Sequence, residues 1–135
     1  MNNRKTRAAY RINQRNISGE YTRPEIIFDS LFKHRVTKPL PIEVFDVSKG
    51  IGGALFRPDR QFIGTKVLVH IQGKYHRTEI QRKHTQWQFS LLQSAGYRNL
   101  AIDADLLMTK KYHQYVIDCT EKFLTSTKEW EYLYA

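Results

Sequence analysis

The sequence predicts a single α/β domain: a mixed sheet of about four strands flanked by helices, in the order helix, three strands, helix, strand, helix. Three observations carry this. The chain has 135 residues, 41% of them hydrophobic and 13% aromatic, enough to close one buried core without disulfide or metal staples. Apolar residues recur at helical spacing in separate stretches, and between these lie segments that alternate with a period of two. Gly and Pro punctuate the boundaries, and no repeat, low-complexity tract or linker divides residues 22–135.

The elements follow in order. Thr22-Arg-Pro-Glu25 has the spacing of a capping box with Pro in the first turn, and Ile26, Ile27, Leu31 and Phe32 then recur at helical spacing to about Arg35. Pro41 to Val47, PIEVFDV, alternates as a strand, and Ser48 to Gly53, SKGIGG, has the chemistry of a turn. ALFRPDRQFI and GTKVLVHIQG predict two antiparallel strands joined near Gly64. In the second, Val67, Val69 and Ile71 share one face, whereas Leu68, His70 and Gln72 share the other. From Thr78 to Ala95 the residues Ile80, Trp87, Leu91 and Leu92 predict a helix stopped by Gly96. YRNLAIDADLL supplies another strand, and Tyr112, Tyr115, Val116, Cys119 and Phe123 mark a terminal helix.

Charge narrows the partner. There are 22 Lys and Arg against 13 Asp and Glu, a net charge of +9, with a pI near 9.8, the balance of a polyanion binder. The excess is concentrated. Residues 1–23 hold Arg4, Lys5, Arg7, Arg11, Arg15 and Arg23 against Glu20, and residues 60–84 hold Arg60, Lys66, Lys74, Arg77, Arg82 and Lys83 against Glu79. Residues 1–21 are therefore read as a basic N-terminal arm and 22–135 as the folded domain. The acid-poor start would suit an organelle transit peptide or a phosphate-gripping arm. The single cysteine, Cys119, has no partner for an internal bridge or a zinc site. That fits a reducing, intracellular location, and no apolar run approaches a membrane span.

Four ordered features, Glu25 in RPEIIFDSLF, Asp59 in RPD, the Gln-Gly and His of VLVHIQGKYH, and LLQSAGYRNLAID, resemble the restriction-endonuclease-like nucleases. The nearest resemblance is to the very-short-patch-repair endonucleases and the homing nucleases named for their Glu, Asp, His, Asp site. It runs from about Thr22 to Leu107. The resemblance implies a three-layer core and a metal-dependent, phosphodiester-hydrolysing DNA endonuclease. It makes Asp59 the principal ligand of a magnesium or manganese ion, His76 a general base or phosphate partner, Glu25 a support for metal or water, and Gln72 the group that orients the scissile phosphate. Arg4, Lys5, Arg7, Arg11, Arg15, Lys74, Arg77, Arg82 and Lys83 are the candidate DNA contacts. Phages and mobile elements encode many such proteins, so a viral source is as compatible with the resemblance as a cytoplasmic, DNA-associated one.

The chemistry needs carboxylates for a hard divalent ion, an activated water and cations for the phosphate. Each candidate also has a plainer use: Asp59 in a Pro-Asp turn, Glu25 as the capping partner of Thr22, His76 as an exposed strand-end residue. The pattern departs from the broader nucleases at His70 and Gln72, where they carry an acid and a lysine. It departs from the short-patch group at Thr85, preceded by His84, where that group keeps an Asp. No acid lies between Glu79 and Asp103. Two functions follow. One is an endonuclease of unusual site, in which His70 and His84 could join the site and favour a softer ion such as manganese or zinc. The alternative is a catalytically inactive nuclease-like module with no cofactor, acting as a nucleic-acid-binding or structural subunit of a larger assembly such as a phage's.

Overall fold

The computed structural model describes residues 22–46, 51–73 and 78–134. In chain order its elements are α1 (Arg23–Leu31), β1 (Val36–Thr37), β2 (Ile42–Asp46), β3 (Ile51–Phe56), β4 (Arg60–Phe62), β5 (Val67–Gln72), α2 (Glu79–Ser94), β6 (Arg98–Asp103), α3 (Ala104–Met108), α4 (His113–Thr125) and β7 (Trp130–Leu133). Five strands form one mixed sheet in the order β1-β4-β5-β6-β7, and β2 and β3 form a separate two-stranded hairpin. β1, β4 and β5 are antiparallel neighbours, while β6 runs parallel to both β5 and β7. The α/β class, the mixed sheet and its flanking helices match the sequence expectation. β1 and β7 are additional.

The central parallel strands bury both faces, as crossover-covered strands do. On one side Val67, Val69, Leu100 and Ile102 meet Phe28 of α1 and Phe32 just after it, Leu106 and Leu107 of α3, and Val116 and Phe123 of α4. On the other, Leu68 meets Leu91 and Leu92 of α2 and Val44 of the hairpin. The predicted alternation of β5 therefore holds. The joint at Gly64 also holds: its φ of 78° lies in the left-handed region that suits glycine. The Thr65 hydroxyl braces the turn, donating to the Phe62 carbonyl at 2.8 Å.

Several expected boundaries move. α1 ends at Leu31 rather than Arg35, and His34 follows with φ 67°. ALFRPDRQFI is not one strand. Pro58 has no N–H to donate, so β3 leaves to pair with β2 while β4 begins anew beside β5. Ile51 to Gly53, expected in a turn, lies in β3, and a side chain at Gly53 would come within 3.0 Å of the Phe45 ring. Val47 of the expected strand and residues 48–50 of the expected turn lie outside the described residues.

The inward face of α2 also differs from the expected one. Ile80 is 78% exposed and Trp87 44% exposed, whereas Thr85, Phe89, Leu91 and Leu92 are buried. Phe89 lies nine residues after Ile80, half a helical circuit away at about 100° per residue. Leu91 and Leu92 are buried as expected, and the buried face runs from them through Thr85 and Phe89 rather than through Trp87 and Ile80. Leu91 is completely buried, so Leu91→Ala is expected to lower stability by about 2–5 kcal/mol in urea unfolding. A loss below about 0.5 kcal/mol, as at a surface site, would refute this packing.

Candidate functional site

A Pro-Asp step and the first turn of α1 build the site. Asp59 directly precedes β4, and its backbone N–H donates to the Val69 carbonyl at 3.0 Å. Its side chain takes over where the ladder would continue: Oδ2 accepts the Ile71 N–H at 2.7 Å. The carboxylate is thereby fixed at the C-terminal end of β5. Glu25, the third residue of α1, is buried and performs the expected capping, since its Oε1 accepts the Thr22 N–H at 3.4 Å. The same carboxyl lies close enough to Asp59 to raise its proton affinity. The plainer uses of Glu25 and Asp59 therefore coexist with their meeting.

Two carboxyls in contact cannot both stay ionised without a compensating charge. Burial pushes the Asp59 carboxyl up to about 7, helped by its hydrogen bond to Glu25 and by that group's charge, against the opposing Ile71 N–H and the positive charge of Lys38.

The neighbouring residue secures the geometry. Arg60 is only 2% exposed, and its guanidinium donates Nε to Asp29 Oδ1 at 2.7 Å and Nη2 to Asp29 Oδ2 at 2.9 Å. Its Nη1 donates to the Asp59 carbonyl. Glu25 and Asp29 stand four residues apart on α1, and so on one helix face, where they engage Asp59 and Arg60 together.

The other expected site residues divide. Gln72 lies at the same end of the sheet, but on the face shared with Leu68 and His70; it is 8% exposed and its Oε1 has no hydrogen-bond partner among the described residues. His70 packs on the Phe89 ring, centroids 4.7 Å apart, and its Nε2 lies 2.9 Å from Asn99 Oδ1. Burial pushes its imidazole down to about 4, against the Asn99 bond, so it is neutral, and it does not join Asp59. It borders a cavity of about 190 Å³ with Arg57, Gln88 and Phe89. His84 is exposed, 3.3 Å from Gln88 Nε2 and stacked on Trp87. Neither additional histidine completes the carboxyl pair. Thr85 is buried in α2.

Of the expected DNA contacts, Lys83 is exposed and lies 3.5 Å from Glu79, and Arg82 rests over the Tyr134 ring at 4.5 Å. Arg4, Lys5, Arg7, Arg11, Arg15, Lys74, His76 and Arg77 lie outside the described residues. Among the described residues, no three His, Cys, Asp or Glu gather as a metal-binding group, and no helix is long and apolar enough to cross a membrane.

Lys38, Asp29, Arg60 and Asn99 were not singled out from the sequence. Asn99 carried a signal, a polar residue entering the apolar run NLAI. Asp29 carried another, an acid four residues after Glu25. Lys38 carried none beyond its charge. No family model, curated protein or solved structure matches the chain.

Proposed function

We propose that the chain is a metal-dependent DNA endonuclease of the restriction-endonuclease-like kind, or a divergent descendant of one, with Glu25 and Asp59 at its centre. The observation that carries this reading is the meeting of the Glu25 and Asp59 carboxyls. Residues distant in sequence are brought together where burial disfavours the Asp59 charge, and a divalent cation would relieve that cost by displacing the Asp59 proton. Their oxygen donors fit magnesium or manganese, which Glu25 and Asp59 would hold. Such an ion supplies Lewis acidity toward a phosphoryl oxygen and acidifies a bound water.

The chain's own part is orientation. The Ile71 N–H and the Arg60–Asp29 clamp hold the Asp59 carboxylate in place, while capping holds Glu25. The order of α1, the antiparallel neighbours β1, β4 and β5, then α2 and the parallel β6 also supports the reading. So does the net charge of +9, which suits a DNA partner.

One observation favours the second reading, a non-catalytic nucleic-acid-binding or assembly module: His70, where related nucleases carry an acid, is a core residue bonded to Asn99. Incubating plasmid DNA with the chain in magnesium, in manganese and in EDTA separates the two. Metal-dependent nicking is expected. Tight binding without cleavage in either metal would transfer the assignment to the binding module.

A further inference from the structure

We propose that the groove between the C-terminal end of α1 and β1 is a phosphate-docking subsite, in which Lys33 and Lys38 take a DNA backbone phosphate beside the one presented to Glu25 and Asp59. The proposal rests on the endonuclease reading of that carboxyl pair and adds the path of the strand across it.

The placement follows from register. Thr37 pairs with Gln61 and Val36 with Phe62, so the antiparallel course carries the chain from β1 toward the sheet end where Asp59 lies. Lys38 is the next residue, and its charge acts on the Asp59 carboxyl. The groove has a volume of about 350 Å³ and is lined by Lys33, His34, Thr37 and Lys38 together with Asp29 and Arg60. Asp29 and Arg60 neutralise each other through their ion pair. Lys33 and Lys38 thus supply the groove's net charge, and both are exposed.

A partner of opposite charge is called for on physical grounds. The carboxyl pair presents negative charge to an approaching phosphodiester, and a cation beside it offsets that repulsion before contact. Lysine ammonium groups suit this because they bind phosphate as point charges without demanding fixed geometry. A plainer use for Lys38 exists: β1 is an edge strand, and edge lysines block strand-to-strand aggregation. The two uses predict different measurements.

The test is the salt dependence of binding to a short DNA duplex in EDTA, read by fluorescence anisotropy for the full chain, for Lys33→Gln/Lys38→Gln and for Lys33→Arg/Lys38→Arg. Each lost phosphate contact lowers the log-log slope by about 0.9. The double Gln variant is therefore expected to lose about 0.9 from the slope, for the one phosphate the two lysines hold, and the double Arg variant to keep the parent's slope. An unchanged slope in the Gln variant, or a parent chain that does not bind the duplex, overturns the subsite. Aggregation of the Gln variant with its slope intact assigns the lysines to edge protection and also overturns it. Because EDTA prevents cleavage, the result is independent of the endonuclease reading: a parent that never cuts removes that reading while the slope still decides the groove.

Discussion

Asp59→Asn is expected to abolish metal-dependent cleavage, by about a thousandfold or more, since the charge stabilisation supplied by a bound ion amounts to several kcal/mol. The substitution is nearly isosteric. Asn keeps a carbonyl oxygen to accept the Ile71 N–H that Asp59 now holds at 2.7 Å, so the end of β5 should retain its course. The lost element is the negative charge, and with it the hold on magnesium or manganese that the endonuclease reading gives to Asp59. Affinity for DNA in EDTA should stay equal or rise, because a carboxylate facing phosphates has been removed. Parent and variant are to be compared in plasmid cleavage, with manganese binding followed by calorimetry on the same samples. Undiminished cleavage by Asp59→Asn would remove Asp59 from the site, and manganese affinity equal to the parent's would remove it as the ligand.

The largest stability effect is expected at the clamp behind that site. Arg60 is 2% exposed and its side chain is fixed by Asp29 across two bonds of 2.7 and 2.9 Å. Asp29→Ala leaves the guanidinium buried without its counter-charge, at a cost of about 3–5 kcal/mol. Replacing both partners, as Asp29→Leu with Arg60→Met, removes the stranded charge and should recover most of the loss. Urea unfolding of the two variants checks this through the midpoint at constant slope. A loss under about 1 kcal/mol in Asp29→Ala would mean that water or the Asp59 carbonyl already satisfies Arg60.

Local signals were legible wherever a residue's own chemistry decides its conformation. The capping arrangement at Thr22 and Glu25, the left-handed glycines at 64 and 96, and the alternation along β5 all stand as the sequence suggested. What failed depended on partners distant in the chain. Which residues flanking Leu91 and Leu92 are buried on α2 depends on the partners these two meet, Val44 and Leu68, neither of which α2's own residues can announce. The break at Pro58 was visible as a residue type, but its consequence, two strands parting to different sheets, is set by which neighbour each one finds.

The site divided in the same way. Glu25 and Asp59 were named and do meet, whereas Lys38 reaches the site only through the register of β1 against β4, a strand of two residues too short to carry a pattern. His70 was named for reactivity, and its pairing with Asn99 across the parallel strands turns it into a core residue.

The opposite displacements of His70 and Asp59 have a consequence for proton linkage. The His70 imidazole sits at about 4 against an ordinary 6.5, so the unfolded chain binds a proton in that window that the native chain refuses, and stability falls as the pH is lowered through it. The Asp59 carboxyl sits at about 7 against an ordinary 3.8, so the native chain retains a proton that the unfolded chain has released, and stability falls as the pH is raised through it. Each has a limiting slope of about 1.4 kcal/mol per pH unit with opposite sign. Between about pH 4 and 6.5 the two cancel, and in EDTA they should leave the parent's stability nearly level. Asp59→Asn should tilt the curve upward with pH, and His70→Gln should tilt it downward. Variant curves parallel to the parent's would refute the compensation. A divalent ion that takes Asp59's proton would act on the curve as Asp59→Asn does, so saturating manganese should convert the parent's level profile into a rising one.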